Sequence, residues 1–423
     1  MPTLLLFLVA LLGAPLFAVI AASALWGFHS SELDLMIVPI EVLRLSEMPV
    51  LVAIPLFTFA GYLLGESKAP QRLVRVTDAL FGWMPGGLAV VAIFASSLFT
   101  AFTGASGVTI VALGALLLPA LLQGGYSQRF SLGLVTTSGS LGLLFAPSLP
   151  LILYAVVAQQ QSLSEPVGVD QLFLAGIVPG LLMLLVLAAY SAIHDVRSER
   201  RTKAFSWREA GAALWDAALE IPLPFLVLGG IYSGWFVVSD AAAITAAYVL
   251  LVEVVIRREV SLRKLISVIH ESMTLVGAIM IILGASLAST NYMIDAEVPA
   301  MVFDFMKSQV DSAAGFMFWL LLFLLILGMI LDIFSALVIV VPMVLPVAIE
   351  FGVHPVHLGI VFLAAMQLGY LTPPVGMNLF IASFRFNQPI LTLVRATVPF
   401  FLLLLVAVVV IACFPQLSLW LGS

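Results

Sequence analysis

The sequence contains few charged residues. Only 9% of its 423 residues are Asp, Glu, Lys or Arg, and 62% are hydrophobic, whereas a soluble globular protein carries about 25% charged residues. The chain therefore lacks the polar surface that a water-exposed exterior needs, and the composition predicts a protein embedded in a lipid bilayer. Its length allows about ten spans of ~20 residues each.

Other absences exclude further classes of protein. One cysteine, Cys413, permits neither an intrachain disulfide nor a CxxC metal or redox site. The 17 Lys and Arg residues are fewer than the 23 Asp and Glu residues and lie in short clusters, so no basic stripe is available to bind nucleic acid. His354 and His357 have a spacing found in metal sites but no third ligand nearby, so we expect no transition metal.

The basic clusters predict the orientation of the chain. They lie around Arg72, Arg200 and Arg263, while the connections 159–171 and 291–312 carry acidic residues. Lys and Arg are enriched in cytoplasmic connections. The basic clusters are therefore predicted inside and the acidic connections outside.

Two apolar stretches are too long for one span but begin and end on the same predicted side of the membrane. Residues 86–123 are interrupted by the small residues 103–107, and residues 315–349 are interrupted near 331–335. We therefore predict two re-entrant hairpins, each of which enters the membrane and returns. With Met1–Ala24 as a retained first helix (a cleaved signal peptide is the alternative), about nine full crossings remain.

The same pattern occurs twice in the chain, at a constant offset of 227 residues. Each copy contains a hairpin, a short connection with a glycine, and a span broken at its centre. An odd number of crossings separates the copies, which inverts the second copy in the membrane. An inverted repeat with broken helices is typical of secondary transporters. The matching residues are Leu118-Pro119 and Leu345-Pro346, Gly125 and Gly352, Leu141-Gly142 and Leu368-Gly369, and Pro147 and Pro374.

A helix break inside a membrane leaves backbone groups without partners, which is tolerated only where protein, water or a ligand supplies them. Free carbonyls and hydroxyls suit a small hard cation such as Na⁺, and the N-terminus of a half-helix suits a carboxylate. The alternative is that Ser, Thr and Gly only allow close helix packing, but two matching sets around matching breaks favour ion sites. The first set is Thr103, Ser106, Thr109, Ser138, Gly139 and Ser140, and the second is Asp332, Ser335, Thr372, Pro373, Gly376 and Asn378.

Two acidic residues lie in apolar runs. Asp332 is the one carboxylate deep in such a run, and there it either ligates Na⁺ or carries a proton, or it caps a helix N-terminus at a wet hairpin tip. Glu253 lies near the cytoplasmic end of its span, so we expect its side chain to extend to the membrane interface. An intramembrane aspartyl protease needs two facing Asp residues, and only Asp332 qualifies, so the sequence does not predict an enzyme.

The segments that carry these motifs resemble a known family. They are Ile54–Gly61, Phe102–Gly107 through Pro119, Gly139–Gly142, Pro147–Pro150 and Leu371–Asn378. The chain resembles, nearly end to end, the large membrane subunit of tripartite ATP-independent periplasmic (TRAP) transporters.

The resemblance implies a fold and a function. The fold is an all-α polytopic membrane protein of the bacterial inner membrane, an inverted-repeat elevator-type transporter with two re-entrant helical hairpins and two discontinuous helices. The function is Na⁺-driven import of an organic acid. Two partners are implied, a small four-helix membrane subunit and a periplasmic substrate-binding protein. The alternative is a stand-alone divalent-anion/Na⁺ symporter without a binding protein.

The resemblance also places the family's Na⁺ sites at the hairpin tips and helix breaks. One motif departs from the family, because the second hairpin tip reads Asp332-Ile-Phe-Ser335 where relatives often have Asp-Pro-Thr. Which hydroxyl completes that site stays open. The predicted Na⁺ ligands are Thr103, Ser106, Ser138, Gly139, Ser140 and Gly142 in the first repeat and Asp332, Ser335, Gly369, Thr372, Pro373 and Gly376 in the second, and the predicted substrate contacts are Thr109, Pro147, Ser148, Pro374 and Asn378.

The predicted organisation follows from these elements. Residues 1–85 form N-terminal scaffold helices, 86–160 the first transport repeat, 161–314 scaffold and arm helices, 315–384 the second transport repeat, and 385–423 a C-terminal helix.

Overall fold

The chain is helical throughout the part that the structure describes. This computed structural model describes Leu6, Val9, Leu12 and residues 14–84, 86–161, 166–196, 205–310 and 312–420. Within these ranges it contains helices and short turns and no strand, which confirms the predicted all-α class. Six of the described helices are long and apolar enough to cross a membrane, or up to nine spans if each bent pair counts as one. The basic residues from Arg197 to Lys203 lie outside the described ranges.

The N-terminal helices precede the first repeat. The first predicted span, Met1–Ala24, lies partly outside the described residues, and the helix that the structure has there begins later, at Leu16. A 3₁₀ turn over Pro49–Val52 leads into the third helix. The helices are α1 (Leu16–Ser30), α2 (Ile37–Arg44), α3 (Ala53–Glu66) and α4 (Ala69–Phe81).

The first repeat contains a helical hairpin and a broken helix. The hairpin arms contact each other, so the chain doubles back, and the return arm is bent by 50° between its two helices. The hairpin consists of α5 (Gly87–Thr103), α6 (Ser106–Ala112) and α7 (Gly114–Gln123). The broken helix consists of α8 (Gln128–Ser138), a 3₁₀ turn (Leu141–Leu144) and α9 (Leu149–Gln159).

Five helices connect the two repeats. The fourth of them continues into a π-helical turn over Leu251–Ile256, and the fifth is the longest helix described. They are α10 (Val169–Val196), α11 (Trp207–Asp216), α12 (Pro222–Tyr232), α13 (Val238–Leu250) and α14 (Leu262–Asp295).

The second repeat has the same elements as the first. After α15 (Val298–Gln309), its hairpin consists of α16 (Ala313–Gly328) and α17 (Ile333–Glu350), and its broken helix of α18 (Pro355–Gly369) and α19 (Met377–Phe386). The chain ends with α20 (Ile390–Cys413) and α21 (Gln416–Leu419).

The helix boundaries recur at the offset that the sequence predicts. Two connections also share a glycine with positive φ, at +83° for Gly125 and +78° for Gly352, and each break holds a cis X-Pro bond, at Pro147 and Pro374. The repeat is therefore present in the backbone as well as in the residues. The matching boundaries are Ser106 and Ile333, Gln123 and Glu350, Gln128 and Pro355, and Gln159 and Phe386.

The two repeats pack crosswise into one body. The return arm α17 of the second hairpin packs against α9 of the first broken helix, and α6 of the first hairpin packs against α19 of the second. The hydroxyl of Tyr154 on α9 donates to the carbonyl of Pro355 at the start of α18 over 2.6 Å. Each hairpin is thus held by the broken helix of the other repeat.

A buried cluster of charges joins the connecting helices to α4. The guanidinium of Arg72 lies 2.7 Å from Glu220, 3.4 Å from Glu253 and 2.6 Å from Glu259, and Arg257 lies 3.2 Å from Glu220. The side chain of Glu253 has no exposed surface. The expectation that Glu253 extends to the membrane interface is therefore wrong, because a cation from a distant part of the chain reaches it inside the fold.

Replacing Arg72 with Met is expected to lower the free energy of unfolding by about 3–5 kcal/mol, because it leaves buried carboxylates without their partner. Thermal unfolding of the purified chain in detergent measures the change. Arg75→Met is the matched control. Arg75 pairs with Glu209 and Asp216 at the surface, and exposed pairs contribute little. Equal losses in the two variants would show that burial does not decide the strength of the cluster.

Candidate functional site

The first helix break meets the tip of the first hairpin around one hydroxyl. Thr100 Oγ1, on α5, lies 2.7 Å from Thr109 Oγ1 on α6 and 2.9 Å from the carbonyl oxygen of Gly139 in the break. Thr100 has no exposed surface, and Thr109 is 1% exposed. The two arms of the hairpin and the broken helix are therefore joined at this point, away from solvent.

This cluster contains more acceptors than protons. Thr100 Oγ1 also lies 2.8 Å from the Ser96 carbonyl, and Thr109 Oγ1 lies 3.5 Å from the Ala105 carbonyl. Two hydroxyl protons therefore face three carbonyl oxygens, so the side chains cannot satisfy all of these oxygens at once. A buried group of hydroxyl and carbonyl oxygens is the ligand type that hard cations prefer.

The other predicted hydroxyls at this break point to nearby carbonyls of their own segment. The distances are 3.5 Å from Ser138 Oγ to Val135 O, 3.3 Å from Ser140 Oγ to Thr137 O, 3.5 Å from Thr103 Oγ1 to Ala105 O and 2.5 Å from Ser148 Oγ to Leu143 O. Three of these four distances exceed the usual range of O–H···O bonds, so those hydroxyls are weakly held. Pro147 is buried next to Ser148.

Ser106 lies beside Gly139. A Cβ atom added to Gly139 would stand 3.5 Å from the Ser106 carbonyl oxygen and 2.6 Å from the side chain of Ile110. The structure thus brings Ser106, Thr109 and Gly139 of the first predicted set together. Two of them contribute a carbonyl oxygen, and Thr109 contributes its hydroxyl.

A glycine in each break touches the first arm of a hairpin. A Cβ atom at Gly142 would lie 2.1 Å from the Ser97 carbonyl on α5, and a Cβ atom at Gly369 would lie 2.5 Å from Cα of Gly328 at the end of α16. Real Cβ atoms essentially never approach that closely. Gly142 and Gly369 therefore act first as contact points of the backbone, at equivalent positions of the two repeats.

The second break is tied to its hairpin tip by backbone hydrogen bonds. The carbonyl of Met329 accepts from Val375 N over 3.2 Å and from Gly376 N over 3.1 Å. In the other direction, the backbone N–H of Ile333 donates to the hydroxyl of Tyr370. Within the break, Thr372 Oγ1 donates to the Gly369 carbonyl over 2.7 Å.

Asp332 caps helix α17. Its Oδ1 accepts from the backbone N–H groups of Phe334 and Ser335, both over 3.0 Å, and its Oδ2 accepts from Ser335 Oγ over 2.5 Å. This is the capping role that the sequence left open as an alternative. Oδ2 keeps lone pairs for a further partner.

The two breaks differ in exposure. Pro373, Pro374 and Val375 are exposed, and 42% of Val375 is accessible, whereas the oxygen cluster at the first break is buried. The predicted substrate contact Asn378 also lies away from the surface. It has no exposed area, and its Nδ2 donates to the Thr136 carbonyl of α8 over 3.3 Å.

Three residues that join the hairpins to the breaks were not among those predicted. They are Thr100, Met329 and Tyr370. Ser96, Thr100 and Thr103 recur at helical spacing along α5, and this pattern was an available signal for Thr100. Met329 acts through its carbonyl alone, so its side chain gives no signal.

Among the described residues, no three His, Cys, Asp or Glu side chains are grouped as a metal site requires. His354 Nδ1 accepts from Val356 N over 3.2 Å at the start of α18, and His357 Nδ1 lies 3.1 Å from Ser418 Oγ. Each of these two histidines therefore has a structural partner.

Comparison with known proteins identifies the family. The model of the tripartite ATP-independent periplasmic transporter, DctM component, matches residues 3–417. The chain belongs to this family. The TRAP large permeases include a C4-dicarboxylate TRAP transporter large permease protein of Pseudomonas aeruginosa, 32% identical over 392 residues, with 90% of this chain and 89% of the relative covered. An ectoine TRAP transporter large permease protein of Halomonas elongata is 30% identical over 416 residues, with 97% and 96% covered.

A solved structure has a related fold. The YdaH transporter of Alcanivorax borkumensis aligns with a TM-score of 0.57 and 16% identity, with 90% of this chain and 89% of the other covered. Membership of the TRAP large permeases assigns the chain to a multi-pass protein of the bacterial inner membrane that serves as a transporter subunit.

Gly142→Ala is expected to destabilise the chain by about 1–3 kcal/mol, because the added methyl group meets the Ser97 carbonyl and forces α5 and the break apart. Thermal unfolding in detergent measures the loss. Gly277→Ala on α14 is the control, since nothing lies within 4 Å of a Cβ atom there, and alanine favours a helix over glycine. Similar stabilities of the two variants would show that the break yields without strain.

Proposed function

We propose that this TRAP large permease imports an organic acid in symport with Na⁺. In this proposal Na⁺ binds where the hairpin tips meet the helix breaks. The solute is delivered by a periplasmic binding protein, and a small four-helix membrane subunit completes the transporter. The family description as one component of a tripartite periplasmic transporter supports the need for these two partners.

The observation that carries the ion site is the oxygen cluster at the first break. Thr100 Oγ1, Thr109 Oγ1 and the Gly139 carbonyl lie within 2.9 Å of Thr100 or its neighbours, and the hydroxyl protons are too few for the carbonyls around them. A Na⁺ ion there receives oxygen ligands and relieves the excess of acceptors in a buried place, where unsatisfied polar groups cost about 1–3 kcal/mol.

The second break offers a different set of ligands. The Oδ2 atom of Asp332 brings a negative charge, and Thr372 lies in the same break. Here the ion and the carboxylate neutralise each other at the hairpin tip. Ser335 is the hydroxyl that we assign to this position, because it already contacts Oδ2 over 2.5 Å.

The N-terminus of α19 supports an anionic solute. The exposed residues Pro373–Val375 lead to Gly376 and then to α19, whose first N–H groups and dipole favour a negative group. The breaks contain no Lys or Arg, so this dipole and the bound Na⁺ supply the positive potential. The two relatives named above differ in solute, so the proposal extends to the class of organic acids and no further.

The crosswise packing of the repeats supports an elevator-type movement. Both hairpins and both broken helices belong to one packed body, and a body of this kind moves as a unit against the scaffold and arm helices. Closing and opening of the hairpin tips then controls access to the two breaks.

Thr100→Val is expected to raise the Na⁺ concentration for half-maximal binding by about tenfold, which corresponds to about 1.4 kcal/mol, because one oxygen ligand is lost at nearly constant shape. Na⁺ titration of purified chain, with choline replacing Na⁺, measures the change. Thr245→Val is the matched control, since Thr245 is equally buried and only donates to the Ala241 carbonyl of its own helix. An unchanged midpoint in Thr100→Val would remove Thr100 from the site.

Uptake into proteoliposomes tests the transport proposal. The chain is reconstituted with its small membrane subunit under an inward Na⁺ gradient, with and without the binding protein, and radiolabelled organic acids are supplied. We expect uptake only when all three proteins and the gradient are present. Uptake by the chain alone would favour a stand-alone divalent-anion/Na⁺ symporter, and uptake without a Na⁺ gradient would contradict Na⁺ coupling.

A further inference from the structure

One side chain connects the two helix breaks directly. Asn378 is the second residue of α19 and follows the second break by two positions after Gly376. Its Nδ2 donates over 3.3 Å to the carbonyl of Thr136, which lies in the last turn of α8, two residues before that helix ends at Ser138. The hydrogen bond therefore joins the start of one half-helix to the end of the other.

The bond serves a carbonyl that the helix itself cannot satisfy. The last carbonyls of a helix lack intrahelical donors, and Thr136 is fully buried, so water does not replace the missing partner. Leaving a buried acceptor unpaired costs about 1–3 kcal/mol. The position of the end of α8 is thus linked energetically to the position of α19.

The repeat contains this polar bridge once. At the offset that relates the two repeats, Asn378 corresponds to Leu151 and Thr136 corresponds to Leu363. Both leucines are fully buried, so their side chains form no such hydrogen bond. The fold therefore accepts an apolar side chain at the equivalent place, and an asparagine is not needed for packing.

The bridge is also a poor source of stability. Asn378 Oδ1 and Thr136 Oγ1 are buried and have no hydrogen-bond partner. A half-satisfied buried amide is less favourable than an apolar side chain of similar size. The residue is better explained by the connection it makes between the breaks than by the stability it adds.

We propose that Asn378 is a positioning residue that couples the two breaks, so that an ion bound at the first promotes binding at the second. This inference rests on the Na⁺ sites of the proposed function. An ion that orders the Gly139 carbonyl fixes the end of α8, since Gly139 follows Ser138 directly. The Thr136–Asn378 bond then fixes the start of α19 and with it Gly376. By linkage, an ion at the second break strengthens binding at the first by the same factor.

A Na⁺ titration of the full chain in detergent tests the coupling. Ionic strength is held constant with choline, and the fluorescence of the seven Trp residues reports binding. We expect a Hill coefficient of about 1.5–2 for the wild type, as two coupled sites allow, and about 1 for Asn378→Leu. Thr136→Val is the matched control, because it removes the unpartnered hydroxyl and keeps the carbonyl, and its Hill coefficient is expected to equal that of the wild type.

Thermal unfolding without Na⁺ separates coupling from folding. Asn378→Leu is expected to unfold at or above the wild-type temperature, because an unpartnered Oδ1 is removed. Asn378→Ala is a second variant that loses the bridge without adding bulk, and the same loss of steepness is expected in it. A steep wild-type curve that stays steep in both variants would overturn the coupling, and so would a wild-type Hill coefficient of 1.

The outcomes also distinguish the coupling from the function on which it rests. Na⁺ binding with unchanged steepness in the variants overturns the role of Asn378 alone. A wild-type chain whose fluorescence responds equally to Na⁺ and choline overturns the Na⁺ sites, and the coupling falls with them.

Discussion

The fold depends on one constraint, which is that backbone groups freed by a helix break need partners inside an apolar protein. Without water, each unsatisfied group costs several kcal/mol in a membrane. The second break meets this constraint through the Met329 carbonyl, which accepts from Val375 and Gly376. The first meets it through Thr100. In both cases the partner comes from a hairpin, so a break and its hairpin tip form one structural unit.

Glycine makes this unit possible at both places. Gly142 and Gly369 let the broken helix contact a hairpin arm at a distance that no side chain permits. Close contact brings carbonyl oxygens together, and their mutual repulsion favours a cation. The backbone geometry that closes the unit is therefore the same geometry that creates oxygen-rich positions, and the structural and ionic interpretations of these glycines do not compete.

Much of the fold was predictable because composition and repetition are properties of the sequence. The helix breaks lie where Gly, Pro, Ser and Thr interrupt apolar runs, and the offset between Pro147 and Pro374 recurs in the helix boundaries. Pairings between distant side chains were not predictable. Glu253 reads as an interfacial acid until Arg72, 181 residues away, is placed beside it. Met329 acts through its backbone, which no residue type reports.

The unequal exposure of the breaks has a kinetic consequence. The oxygen cluster around Thr109 is sealed, whereas the strand of residues Pro373–Val375 reaches the surface. An ion at the sealed position exchanges only as fast as the first hairpin opens, on the microsecond-to-second scale of local opening, while the open position exchanges with its surroundings freely. The order in which ions leave is then set by the gate over each position, and equal affinities would not make the two positions equivalent in time.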